Sequence, residues 1–252
     1  MKQKLLLIAA AALLVAAFSF GIVFIRQNLD EKASAESFEH ASEMIEQNFE
    51  HEENPAQTLS TPTSFEVYSP ILEENSDFVG WISIEGTKID YPVMQTPDNP
   101  NFYLKHAFDK TYSDYGVPYV QEDCDLETSD SIVIYGHNMN NGTMFADLCK
   151  YEDEAFYKEH RTIRFDTLFD FGEYEIVYVF KTVAYSDDGF KYYQFVDFEN
   201  EEDFNKYISK CGELALYDTG VTAEYGDKLV TVSTCEYSQT DGRIVVVARK
   251  IV

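Results

Sequence analysis

The 252-residue chain predicts a mainly β domain, a closed barrel with a few peripheral helices, preceded by an N-terminal transmembrane helix. Two observations predict the barrel. Many short β-rich runs separated by turn signals follow residue 76, and only one strong helical pattern stands in the second half. A third observation predicts the anchor: behind Lys2 and Lys4 an uncharged apolar run extends from Leu5 to Ile25.

Those apolar residues, at about 1.5 Å of helical rise each, span about 30 Å, the thickness of a bilayer core. A cleavable signal peptide carries an apolar region of only about 7–15 residues, and no convincing A-x-A site follows, so the anchor is read as uncleaved. Lys2 and Lys4 put residues 1–4 in the cytoplasm and the remainder outside the cell, against a single-pass membrane helix at 5–25. Residues 26–68 read as an acidic stalk and linker. Phe38, Ala41, Ile45 and Phe49 recur at helical spacing among Glu36, Glu39, Glu43, Glu46 and Glu50. The expectation is a solvated spacer without a partner, ended by Pro55 and Pro62 in "NPAQTLSTPTS".

The folded domain is placed at 69–252. "SPILEENSDFVGWISI" predicts a short helix running into a strand at Val79–Ile84, and "GTKIDYPVMQ" a turn and a second strand. "SIVIYGHNM" is an apolar strand reaching a Gly-His corner, and "YEIVYVFKTVAY" a long alternating strand. "ENEEDFNKYISKCGELALY" is a helix with acidic residues at its start, where the helix dipole favours them. Two strands, in "LVTVSTCEYSQTDGRIVVVARK", close the chain around a "TDG" turn signal.

A net charge of −26 excludes nucleic acid as a partner, because a phosphate backbone would be repelled. Cys124, Cys149, Cys211 and Cys235 show no CxxC spacing and HExxH is absent, so no metal site is expected. The first three are expected to be free thiols.

Cys235 ends a strand, and a nucleophilic thiol needs a nearby base or cation. Of the histidines, His40 and His51 lie in the spacer, while His106 and His160 sit in polar, loop-like surroundings. His137 ends an apolar strand after Gly136, at a barrel rim, 98 residues upstream of the cysteine. Arg243 starts the strand that returns beside Cys235, where a guanidinium could stabilise a thiolate or a developing oxyanion. On spacing alone a packed cysteine, a satisfied structural histidine and a surface arginine, the usual fate of an arginine, stay open as readings.

"TVSTC" followed eight residues later by Arg, with "YGHNM" upstream, resembles the sortase family, and class B sortases in particular. "DFVGWISIEGTKIDYPVMQTPDNPNFYL", "IVIYGHNMNNGTMFADLCKY" and "FENEEDFNKYISKCGELALYDTGV" share that likeness, which covers most of the chain from about Ser76. The resemblance implies a cysteine transpeptidase of the Gram-positive cell surface. Such an enzyme cuts a C-terminal sorting signal of exported proteins after a threonine, holds the acyl part as a thioester and passes it to an amine. By that resemblance Cys235 is the nucleophile, His137 the general acid or base and Arg243 the group that binds the carbonyl and oxyanion. Ser233, Thr234 and Glu236 correspond to positions that contact the sorting peptide or shape the oxyanion site. The stretch Tyr185–Asp197, with the helix near Glu202–Tyr217, corresponds to the insert that walls the peptide groove. No metal or organic cofactor is implied. The partners implied are the sorting-signal peptide and an amine, from a peptidoglycan precursor or from a pilin lysine in a pilus-building variant. A water-using cysteine protease and a non-enzymatic tethered β-domain are the other readings.

Overall fold

The computed structural model describes residues 2–52, 62–187 and 189–251. Helix α1 (Lys2–Glu52) runs unbroken through the apolar segment and the acidic stretch behind it. Leu13, Leu14, Val15, Phe18 and Phe20 lie exposed on it. Among the described residues it is the helix long and apolar enough to cross a membrane.

Its second half corrects the expectation of a solvated spacer. Ser34, Phe38 and Ala41 are buried against the folded unit, and the Phe38 ring meets Tyr91 edge-on with centroids 5.1 Å apart. The cause is the apolar stripe itself. Residues three and four apart share one helical face, and Phe38, Ala41 and Ile45 on that face pack on the folded unit while Glu36, Glu39 and Glu43 are exposed. Polar contacts flank the seam. Ser34 and Ser113 hydroxyls are 3.2 Å apart, the Asp114 N–H donates to Asp30 at 2.9 Å, and the Tyr115 hydroxyl donates to Glu31 at 3.2 Å.

Most of the proline-interrupted linker lies outside the described residues. Helix α2 (Ser64–Glu74) then starts earlier than residue 69, because Thr63 and Glu66 form a reciprocal capping box. The strands follow as β1 (Phe78–Ser83), β2 (Asp90–Met94), β3 (Tyr119–Val120), β4 (Ser131–Tyr135), β5 (Thr162–Thr167), β6 (Glu173–Val183), β7 (Leu229–Cys235) and β8 (Gly242–Lys250). Among the described residues they close into one barrel in the order β1-β2-β3-β4-β7-β8-β6-β5. The neighbours are antiparallel except β2/β3 and β4/β7. The parallel pair β4 and β7 sits inside the sheet, which explains its nearly continuous burial and its "IVI" and "LVTV" runs. Short helix α3 (Glu154–Glu159) and helix α4 (Glu201–Leu214) pack outside. Asn200 caps α4, Glu201, Glu202 and Asp203 fill its first turn, and Phe204, Tyr207 and Cys211 face the core.

The expected strands all form, to within a residue or two. Strands β3 and β5 were not anticipated: β3 is only two residues long, and β5 carries a charged residue, Arg164, in its middle. If the α1 seam rests on Phe38, Phe38→Ala weakens docking by about 3 kcal/mol. Amide hydrogen exchange should then speed up across residues 34–45 while the barrel strands keep their protection.

Candidate active site

Two strand pairings build one end of the barrel. In the parallel pair β4/β7, Tyr135 stands beside Ser233, and the Gly136 N–H donates to the Ser233 carbonyl at 3.3 Å. His137 and Cys235 are each two residues beyond that point, so neighbouring strands deliver both to the same rim. Residue 136 is glycine for a spatial reason, since a Cβ there would lie 2.6 Å from carbons of the Phe145 ring.

In the antiparallel pair β7/β8, Cys235 is the partner of Arg243. One step further the Glu236 N–H donates to the Gly242 carbonyl at 2.9 Å. Hydrogen-bonded and non-hydrogen-bonded pairs alternate, so Cys235 and Arg243 form a non-hydrogen-bonded pair, the closer kind, with Cα atoms about 4.5 Å apart. Their side chains therefore leave the same face of the hairpin side by side. Asp241 closes the turn at φ 54°, a left-handed conformation that aspartate tolerates better than most residues.

The three side chains have distinct surroundings. His137 is half-buried, and its Nε2 lies 2.7 Å from the Leu104 carbonyl oxygen. A carbonyl only accepts, so Nε2 carries the proton and the neutral ring keeps Nδ1 as its basic nitrogen. Burial lowers the His137 pKa below the ordinary histidine value, helped by nearby Lys105 and opposed by the Leu104 bond and Asp114. Arg243 donates from Nη1 to the Gly242 carbonyl at 2.9 Å, and its guanidinium carbon is 5.9 Å from the centre of the exposed Tyr185 ring. Cys235 is half-buried.

Ser233, Thr234 and Glu236 cluster at the same rim but are only 1%, 2% and 6% exposed. Each is already engaged. The Ser233 hydroxyl oxygen accepts from the Tyr192 hydroxyl at 2.7 Å, and the Thr234 hydroxyl donates to the Gly136 carbonyl at 2.7 Å. The Glu236 carboxylate accepts from the Ser238 N–H and hydroxyl, both at 2.7 Å, with Lys181 Nζ 3.5 Å away. Burial would raise the Glu236 pKa, but the Ser238 bonds and Lys181 outweigh it and hold the carboxyl below the ordinary glutamate value.

Sequence reasoning missed Leu104, Asn138, Tyr192 and Lys181. Three of these gave no local signal. Asn138 had one, its place directly after the histidine in "YGHNM". All four cysteines are unpaired, and burial raises the thiol pKa of Cys124 and Cys211 to about 12 and of Cys149 to about 11. Among the described residues no group of His, Cys, Asp and Glu could hold a metal ion. A concavity of about 630 Å³ near Asp90, Arg164 and Asp166 contains none of the three candidate residues.

Residues 82–251 match the family model described as the sortase domain. The chain is 29% identical over 252 residues to sortase B of Staphylococcus aureus, covering 99% of this chain and 98% of that protein. It is 35% identical over 175 residues to sortase B of Listeria monocytogenes, covering 68% of this chain and 69% of that one. Its fold is similar to that of a Staphylococcus aureus sortase B–substrate complex, with a TM-score of 0.76 at 27% identity, over 88% of this chain and 98% of the other.

The His137 environment has a measurable consequence. In a pH titration followed by NMR its ring should titrate below the ordinary value of about 6.5. As pH falls, the unfolded chain then takes up this proton before the folded chain does. The folded state loses stability from the unfolded value down to the folded one, and His137→Gln should lack that part of the acid sensitivity.

Proposed function

The chain belongs to the sortase family, with class B enzymes among its relatives, and on that premise we propose that Cys235, His137 and Arg243 carry out its transpeptidation. The register that makes Cys235 and Arg243 a close non-hydrogen-bonded pair, beside the strand exit of His137, is the observation that supports this most. The Cys235 sulfur attacks the carbonyl of a threonine in the sorting signal of an exported protein. The tetrahedral intermediate places its negative oxygen toward the Arg243 fork, which has spent one donor on Gly242 and keeps the others. His137 takes the thiol proton at Nδ1 and passes it to the leaving amine, and the C–N bond breaks to leave a thioester. An incoming amine attacks that thioester, His137 accepts its proton, and Cys235 departs as the new amide forms.

The substrate partner in this reading is a sorting-signal peptide, and the acceptor is a cell-wall amine. Ser233, Thr234 and Glu236 support the peptide site from below the surface: Ser233 and Thr234 hold the strand end, and Glu236 with Lys181 sets the charge beside the nucleophile. Residues 1–4 lie in the cytoplasm, 5–25 cross the membrane, 26–68 form the stalk and 69–252 the extracellular catalytic domain, with α2 straddling the last join.

The test is to incubate the full chain with candidate sorting peptides, with and without amines, and to weigh the products. A peptide–amine adduct is the expected result, and hydrolysis unaffected by amine would instead mark a protease. Cys235→Ala should abolish the adduct, and retained activity would refute its role. Arg243→Lys should lower kcat by about a hundredfold or more, as loss of an oxyanion donor does, because a point charge cannot reproduce the planar fork.

A further inference from the structure

The β4/β7 ladder ends one bond short of the nucleophile. Gly136 N–H bonds to the Ser233 carbonyl, and in a parallel pair the next bond of that series joins the N–H two residues on, Asn138, to the carbonyl two residues on, Cys235. The main chain does not make it. At His137 it turns into a small loop, in which Phe145 N–H donates to the His137 carbonyl at 2.8 Å and Asn138 bridges to Met144. The Asn138 side chain makes the bond instead: its Nδ2 donates to the Cys235 carbonyl at 2.9 Å. The same Nδ2 is 3.2 Å from Cys149 Sγ, and the Asn138 main-chain carbonyl accepts from the Tyr237 hydroxyl at 3.1 Å.

We propose that Asn138 is a positioning residue for the nucleophile, its side-chain amide continuing the β4/β7 ladder beyond the end of β4 and holding Cys235 in register with His137. The role rests on the transpeptidase reading above. Without that donor the Cys235 carbonyl is left, among the described residues, with only a weak contact from Cys149 Sγ at 3.8 Å at a strand end. The fit is chemical as well as spatial. Aspartate has the same shape but presents only acceptors when ionised, and alanine presents nothing. Displacing a reacting group by about 1 Å costs about a hundredfold in rate, which sets the scale of effect expected here.

The test uses the full chain with Asn138→Ala, Asn138→Asp, Asn138→Gln and Cys149→Ser. Two readouts are taken: steady-state peptide–amine ligation, and the rate at which iodoacetamide alkylates Cys235 at neutral pH, located by mass spectrometry. Asn138→Ala and Asn138→Asp should lower kcat between about tenfold and a hundredfold, with KM for the peptide little changed and alkylation of Cys235 altered. Asn138→Gln, which keeps the amide, should recover part of kcat, and Cys149→Ser should match wild type. Near wild-type kcat in both Asn138→Ala and Asn138→Asp would overturn the proposal. So would a loss carried by KM, or a loss reproduced by Cys149→Ser. Alkylation needs no substrate, so the two ideas separate. A wild-type chain that joins no amine, with alkylation still altered in Asn138→Asp, would sink the transpeptidase reading and leave the positioning role standing.

Discussion

The parallel register of β4 against β7 is the constraint on which the rest of the candidate site depends. Strand periodicity is two, so a slip of one residue turns every side chain to the opposite face. A slip at Tyr135/Ser233 would carry His137 and Cys235 to opposite sides of the rim. The register is held by burial on both faces of β4 and β7, where Ile132, Val133, Ile134, Val230 and Val232 leave no alternative pairing with the same apolar cover. Strand β8 then inherits its place from β7, and the hairpin puts Arg243 opposite Cys235 without any further device. The chemistry is exposed at the rim, but its geometry is decided by side chains in the core.

A second set of contacts reaches the same histidine from α1. The carbonyl that accepts from His137 belongs to Leu104, and the segment it opens is tied off ten residues later. Ser113 N–H donates to the Lys105 carbonyl at 3.0 Å, and Lys105 Nζ pairs with Asp114 at 2.9 Å. Asp114 and Ser113 in turn meet Asp30 and Ser34 on α1. The helix that carries the apolar segment therefore continues, within a few turns, into the brace of the loop that orients His137. The second half of α1 thus braces the His137 end of the barrel, which gives its apolar stripe a surface to cover among so many glutamates.

Much of this was legible in the sequence because periodicity and turn chemistry are local. The apolar runs of β4, β7 and β8, the acidic start of α4 and the "TDG" turn each announce themselves within about ten residues, and the barrel follows from their number. Cys235, His137 and Arg243 were legible as types, and the resemblance joined them across the chain. What could not be read is whatever depends on the register between distant strands. Tyr192 beneath Ser233, Leu104 beside His137 and Lys181 beside Glu236 are ordinary residues until the barrel brings them within reach. The docking of α1 failed for a related reason: the stripe was visible, but the surface that covers it is made by residues 91 and 113–115, far along the chain.

One physical feature unites these polar contacts. Where strands stop, main-chain carbonyls lose their ladder partners, and a buried unpaired carbonyl is costly. At this rim Thr234 donates to Gly136, Asn138 to Cys235, His137 to Leu104 and Arg243 to Gly242. Each donor thereby engages a main-chain carbonyl and fixes its own orientation at once, the Gly242 carbonyl being shared with the Glu236 N–H. For His137 the bond also selects the tautomer, so the carbonyl at the end of the short 3₁₀ turn Phe102–Leu104 decides which ring nitrogen is left basic. For Arg243 it anchors one arm of the fork and leaves the others free. A barrel rim is thus a natural place for such chemistry: the unmet hydrogen-bonding demand of the strand ends supplies the fixed points that hold polar side chains in place, without adding a residue to the core.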